Sequence, residues 1–476
     1  MDLREVNNLG LELEEKNTKS FGLKDKIGYL CGDLGNDFMF LFASMYLMIF
    51  YTKVWGVSAS LVGVLFLVSR CIDAFTDITM GRIVDKCKST EDGKFKPWIK
   101  RMAGPVAISS FLMYQYSLAD ASTTVKTIVM FVTYILWGSI FYTSINIPYG
   151  SMASAITDKP EERASLSTWR SLGAAFASVV IGTLVPQIIY YADANGNQLV
   201  SGSKFTLVAG IFSICSLVCY MICYKLTIER VKLEPVETES ASLAETFKAI
   251  ISNRALLTII AAAILLLLSG FMSQTMNTYL FADYFKDINA LSMLNMISLP
   301  VNLLLAAVAV KISAKIGKKE FSAIGMFVAG GVYILTYFLK LESSWAFLGY
   351  YTVIAFGTAI FNMLIWAKIT DVIDYNEVKF GERNDGVIYG VYSFARKIGQ
   401  ALAGGLGGFA LTFVGYNSLA ASQTPEVLDG IYNLSTLFPG VCYLLVGLIL
   451  TFAYPLSKKV VEENSRILNE RRTKNN

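Results

Sequence analysis

No histidine occurs among the 476 residues, which removes histidine-based catalytic triads, histidine metal sites and histidine proton relays together. Any proton or ion handling falls to carboxylates. The seven cysteines contain no CxxC pair, so neither a disulfide framework nor a structural zinc site is expected. Charge is sparse, at 16% of residues, and the net charge of +4 gives no reason to expect nucleic acid as a partner. There is no GxxxxGK[ST] nucleotide loop and no polar stretch long enough for a sizeable soluble domain. No secretory signal peptide is expected, because a polar arm with Glu12, Glu14 and Glu15 precedes the first apolar stretch.

What is present is apolar. Hydrophobic residues make up 54% of the chain and the mean hydropathy is +0.50, which belongs in a membrane rather than in water. Crossing about 30 Å of hydrocarbon takes roughly 20 apolar residues. Stretches of that kind occupy 27–51, 57–83, 102–118, 125–147, 164–191 and 205–226, then 256–284, 291–312, 321–339, 345–369, 387–414 and 431–454. The division is six and six, around a polar linker. It gives a cytoplasmic arm 1–26, a six-helix bundle 27–226, a linker 227–253, a second bundle 254–456 and a tail 457–476.

Lys and Arg decide the orientation. The arm, the alternate loops and the tail hold 28 of them, whereas the opposite loops hold only Lys53, Lys126, Lys204, Lys286 and Lys340. By the positive-inside rule both termini are cytoplasmic, in a multi-pass protein of the cell membrane. The halves also echo one another. Glu162-Arg163 followed by Arg170 reappears as Glu382-Arg383 followed by Arg396.

Within the second stretch stands Arg70-Cys-Ile-Asp73-Ala-Phe-Thr-Asp77. Ionised groups at bilayer depth cost about 3 kcal/mol each, so they face a bundle interior or an aqueous cavity and mark ion or substrate paths. Spacings of three and seven put Arg70, Asp73 and Asp77 on one helix face. Two carboxylates one turn apart can ligate a monovalent cation or share a proton. Thr76, beside them, can add a neutral oxygen. The alternative is a structural ion-pair network with Arg70.

Gly35-Asn36-Asp37-Phe38, the Arg70–Asp77 block, Gly93-Lys-Phe-Lys-Pro-Trp98, Asn146-Ile-Pro-Tyr149 and Thr370-Asp-Val-Ile-Asp-Tyr375 occur in this order. In this the chain resembles the glycoside-pentoside-hexuronide:cation symporters, of which melibiose permeases are members, from about Lys24 to Lys458. The resemblance implies an all-α major facilitator fold, twelve transmembrane helices in two pseudo-symmetric six-helix halves. It also implies import of a sugar or glycoside coupled to Na+, H+ or Li+, with no cofactor. Asp73 and Asp77 match the cation-site aspartates and would be metal ligands if the ion is Na+. Lys397 matches a basic position near that site, able to balance the carboxylates together with Arg70. Asp37 and Arg170 match the sugar-binding carboxylate and arginine. A ring of sugar hydroxyls suits a carboxylate opposite a guanidinium, with Asn146, Tyr149 and Trp366 as further candidates. Asp33 could shape the pocket or cap the first span.

The chain departs from melibiose permeases at Asn36, Asn146 and Gly150, where they carry lysine, aspartate and tryptophan; Asn-Ile-Pro-Tyr-Gly-Ser is more like the xyloside and glucuronide branches. Arg82, Asp85, Arg163, Glu382, Arg383 and Asp385 are expected to form a cytoplasmic charge gate, solvated loop charges being the alternative. An uncoupled facilitator, a non-transporting sugar sensor and a polytopic membrane enzyme remain as competing functions. The short tail carries no expectation of an appended regulatory domain, which leaves regulation to a cytoplasmic protein in trans.

Overall fold

The computed structural model describes residues 20–231, 253–381, 385–418, 420 and 422–475. Helices account for nearly all of it. In the first half they are α1 (Leu23–Val54), α2 (Ala59–Lys86), α3 (Lys96–Leu112), α4 (Thr123–Ile156), α5 (Pro160–Ile189) and α6 (Gly202–Leu226). In the second half they are α7 (Arg254–Tyr284), α8 (Ile288–Ile316), α9 (Lys318–Leu339), α10 (Ser344–Phe380), α11 (Asp385–Phe413) and α12 (Pro425–Ala453). By length and composition, ten helices among the described residues can cross a membrane. α3, at 17 residues, and α11 complete the expected twelve.

Local chemistry sets the starts. Ser122, Ser201, Asn253, Asp287 and Ser343 each accept a hydrogen bond from the backbone N–H three residues on, capping α4, α6, α7, α8 and α10. Pro97 lies in the first turn of α3, where its missing N–H costs nothing. Four spans contain a π-helical stretch: Phe50–Val54 in α1, Leu136–Tyr142 in α4, Leu280–Tyr284 in α7 and Ile449–Ala453 in α12.

The helices outrun the apolar stretches. α3 starts ahead of position 102, and α10 continues past position 369 to Phe380. Hydropathy marks the hydrocarbon, whereas Lys, Glu and Asn beyond it still continue a helix at little cost. Two elements were not anticipated: a hairpin of β1 (Tyr190–Ala192) with β2 (Gln198–Val200), and a helix α13 (Lys458–Asn475) in the tail.

The halves meet through α2 on α11 and α5 on α8. The first contact depends on glycine, since a Cβ on Gly408 would come within 2.2 Å of the Ala59 carbonyl oxygen. Among the described residues, the hydrogen bonds between the halves lie toward the face opposite the basic loops. Lys53 Nζ meets Asp283 Oδ1 at 2.7 Å, the hydroxyls of Thr52 and Tyr279 lie 3.0 Å apart, and Gln187 Nε2 donates to Ser292 Oγ at 3.0 Å.

Candidate substrate and cation site

Arg70, Asp73 and Asp77 share one side of α2 and line a cavity of about 380 Å3 walled by α1, α2, α4 and α11. Asp73 Oδ2 accepts from Arg70 Nη1 at 3.1 Å, and its Oδ1 accepts from Ser139 Oγ at 2.5 Å. One turn along, Asp77 Oδ1 accepts from Thr143 Oγ1 at 2.9 Å. Ser139 and Thr143 are four residues apart on α4, as the two aspartates are on α2. Two carboxylates and two hydroxyls therefore form a ladder between the helices.

The π-helical stretch of α4 contains Ser139 and ends just before Thr143. A widened turn of this kind changes which side chains face a neighbouring helix, and such turns are frequent at functional sites. Thr143 Oγ1 also lies 3.3 Å from the Gly138 carbonyl, but the shorter approach is to Asp77. The set offers hard oxygen ligands to a monovalent cation, or a carboxylate pair to share a proton. Arg70, whose guanidinium sits 5.7 Å from the Phe40 ring, supplies the positive charge at Asp73 in this state.

Arg170 is held by Asp33, Nε to Oδ1 at 2.7 Å, with its guanidinium over the Tyr149 ring at 5.4 Å. The expected partner Asp37 lies one turn along α1, half-buried, and makes no hydrogen bond with a described residue. Tyr149 is fully buried, stacks on Tyr29 and donates to the Tyr29 carbonyl at 2.7 Å. Its ring is a platform under Arg170 rather than a surface open to a ligand.

Asn146 lines the cavity and accepts from Asn36 Nδ2 at 3.3 Å, while Asn36 Oδ1 accepts from the Tyr220 hydroxyl at 2.8 Å. Two of the three departures from melibiose permeases thus meet as a neutral amide pair. Thr76 turns its hydroxyl back to the Ile72 and Asp73 carbonyls, both at 3.3 Å, instead of toward the cavity. Trp366, on α10, stands edge-on to Tyr392 of α11, with Arg396 over its ring, away from the cavity walls.

Of the expected gate, Arg82 and Asp85 are exposed and neither side chain makes an ion pair among the described residues. Arg163 Nε donates to the Thr157 carbonyl at 2.8 Å. Glu382 and Arg383 lie outside the described residues, and so do the side chains of Asp385 and Lys397. Sequence reasoning passed over Ser139, Thr143 and the Lys53–Asp283 pair. A signal existed for the first two, since their spacing repeats that of the aspartates.

The sequence matches the MFS/sugar transport protein family over residues 28–458. The chain belongs to this family. It is therefore a membrane transporter of the major facilitator kind and not an enzyme, and the twelve-helix fold expected from the sequence is the fold observed. It is 31% identical to the "Uncharacterized symporter YjmB" of Bacillus subtilis over 441 residues, 92% of this chain and 94% of that one. The "Glucuronide carrier protein homolog" of Escherichia coli is 31% identical over 439 residues, 92% and 93% of the two chains. A "Putative sulfoquinovose importer" of Escherichia coli is 32% identical over 468 residues, 96% of each. Among solved structures, a D-xylose-proton symporter superposes with a TM-score of 0.63 at 13% identity, over 90% of this chain and 97% of that one. A bacterial homologue of the lysosomal transporter Spinster superposes at 0.62 and 14%, over 94% and 98%.

Proposed function

We propose that this MFS/sugar-transport protein is a cation-coupled symporter that imports a sugar or glycoside across the cell membrane by alternating access, with both termini cytoplasmic. The observation that carries this reading is the ladder of Asp73, Asp77, Ser139 and Thr143 on the wall of an internal cavity. Relatives named for glucuronide and sulfoquinovose support a sugar-like substrate. Na+ or H+ would enter the ladder and displace Arg70 from Asp73, with Lys397 helping to balance charge when no cation is bound. The sugar would lie between Asp37, Arg170 and Asn146, close enough for cation and sugar to strengthen one another's binding reciprocally. The closed face opposite the basic loops fits a cytoplasm-facing state, in which Arg82 and Asp85 await partners in the other half.

The test is uptake of labelled xylosides, galactosides and glucuronides into vesicles under imposed Na+ or H+ gradients, with Asp73→Asn beside the intact protein. Gradient-driven accumulation lost in the variant is expected. Uptake indifferent to every gradient and to Asp73 would overturn the coupling and leave a facilitator.

A further inference from the structure

Lys96 and Lys100 stand one turn apart at the start of α3, on the side of the molecule that carries the basic loops. Both ammonium groups reach the ring of Tyr224, near the end of α6, each 5.1 Å from its centre. Like charges at this spacing on a helix repel one another. Arg101 follows on α3 and Lys225 on α6, both exposed. None of these four side chains makes a hydrogen bond or ion pair with a described residue. The nearby acidic groups are engaged elsewhere. Asp92 accepts from the Tyr224 hydroxyl at 2.8 Å, at the rim of the ring, and Glu229 accepts from the backbone N–H groups of Lys94, Phe95 and Lys96.

The matching corner of the second half, α9 with α12, spends its basic side chains on the protein itself. Lys319 Nζ donates to the Tyr454 carbonyl at 2.7 Å, Lys318 Nζ meets Asp371 Oδ1 at 2.6 Å, and Arg254 Nε donates to the Ala453 carbonyl at 3.1 Å. Beyond the basic cluster the outer faces of α3 and α6 are apolar. Ile108 and Leu112 continue the Arg101 side of α3 at helical spacing, and Leu207, Ile211, Ile214 and Val218 lie on the Lys225 side of α6, all of them exposed. In a membrane such stripes face acyl chains, which puts the four cations at the depth of the headgroups, where a basic pocket between helices suits an anionic lipid.

We propose that the groove between α3 and α6 binds an anionic phospholipid of the leaflet on the basic-loop side. Its phosphate lies between Lys96 and Lys100 over Tyr224, with Arg101 and Lys225 at the rim and the acyl chains along the two apolar stripes. This rests on the chain spanning a membrane, and not on which solute it carries or which ion drives it. The bound headgroup offsets the repulsion between the two lysines and ties α3 to α6.

The experiment follows the melting temperature of the purified, full-length protein in neutral detergent as phosphatidylglycerol is titrated in. Phosphatidylcholine with the same acyl chains and sodium phosphate are run beside it. Phosphatidylglycerol should raise the melting temperature saturably, at a concentration at least tenfold below any effect of phosphatidylcholine. One lysine near a lipid surface is worth about fivefold in affinity, so Lys100→Gln should raise the half-saturating concentration about fivefold, and Lys96→Gln with Lys100→Gln about 25-fold. Lys311→Gln with Lys315→Gln removes two exposed lysines from α8 on the same side and should leave it within twofold. Lys100 is exposed, so the single variant keeps the test open if the double variant does not fold. An equal change in both double variants reduces the effect to general attraction by basic loops and overturns the proposal, as does equal stabilisation by phosphatidylcholine. Stabilisation by sodium phosphate at the same concentrations assigns the lysines to a soluble anion, and the lipid site falls.

Discussion

Ser139 gives Asp73 a hydrogen bond of 2.5 Å, and it does so from a helix that carries no acidic residue in its π-helical stretch. In the proposed symport, that hydroxyl oxygen would become a ligand to the entering cation, on the far side of the ion from α2. Ser139→Ala removes it without disturbing the aspartates. For a contribution of roughly 1 kcal/mol, the cation concentration that half-maximally supports sugar binding should rise about fivefold. An unchanged value would assign the hydroxyl to packing. The aspartates could be read in the sequence because ionised groups stand out in an apolar run. Ser139 could not, since serine is unremarkable in a membrane helix and gains its role from the register of α4 on α2. The same limit applies to Arg170. Asp33 and Asp37 lie on one face of α1, and only the tertiary geometry selects Asp33 as the partner at 2.7 Å.

At the scale of the element, the start of α3 shows how the chain past α6 serves the first bundle. Glu229 accepts from the backbone N–H of Lys94 at 2.6 Å, Phe95 at 3.0 Å and Lys96 at 2.7 Å. These donors open α3, where the helix dipole also favours a negative charge. The turn before them needs Gly93 at φ +108°, where a Cβ would meet the Glu229 carboxyl at 2.5 Å. Glu229→Ala strands three partly buried donors and should destabilise the protein by about 2 kcal/mol, seen as a lower melting temperature in detergent. Melting like the intact protein would show that water replaces the carboxylate at no cost. The existence of the twelve spans was legible, because long apolar runs leave few alternatives in a bilayer, whereas the polar tail helix α13 was not. This brace was not: Glu229 reads as one more linker charge, and only the fold brings it to residues far earlier in the chain.

Twelve spans, two halves and a basic face could be read from hydropathy and charge, but not which face is closed. Both states of a two-state carrier share one sequence and one set of helices, so the choice rests on contacts between the halves. The Lys53–Asp283 pair is the most informative of these. α1 and α7 end alike, with Trp55 N–H on the Phe50 carbonyl and Phe285 N–H on the Leu280 carbonyl, then Val57 on Tyr51 and Asp287 on Phe281. Lys53 and Asp283 therefore hold the same position in the two halves, and a near-two-fold axis brings such positions together. Identical charges there would repel; opposite ones close the face. Their side chains are only 13% and 9% exposed, and Asp283 Oδ2 accepts a further bond from the Tyr416 hydroxyl at 3.1 Å, so solvent screens the pair less than it would at a surface. Lys53→Asp alone, or Asp283→Lys alone, places like charges in contact and should shift the protein toward opening on this face. A cysteine introduced at Ser44, on the small cavity between α1, α2, α4, α7 and α11, should then react about tenfold faster with a thiol reagent added from that side. The double exchange restores opposite charges at the same place and should return the rate to within twofold of the intact protein. Equal rates in all four proteins would mean that the packing of α2 on α11 and α5 on α8 closes the face unaided.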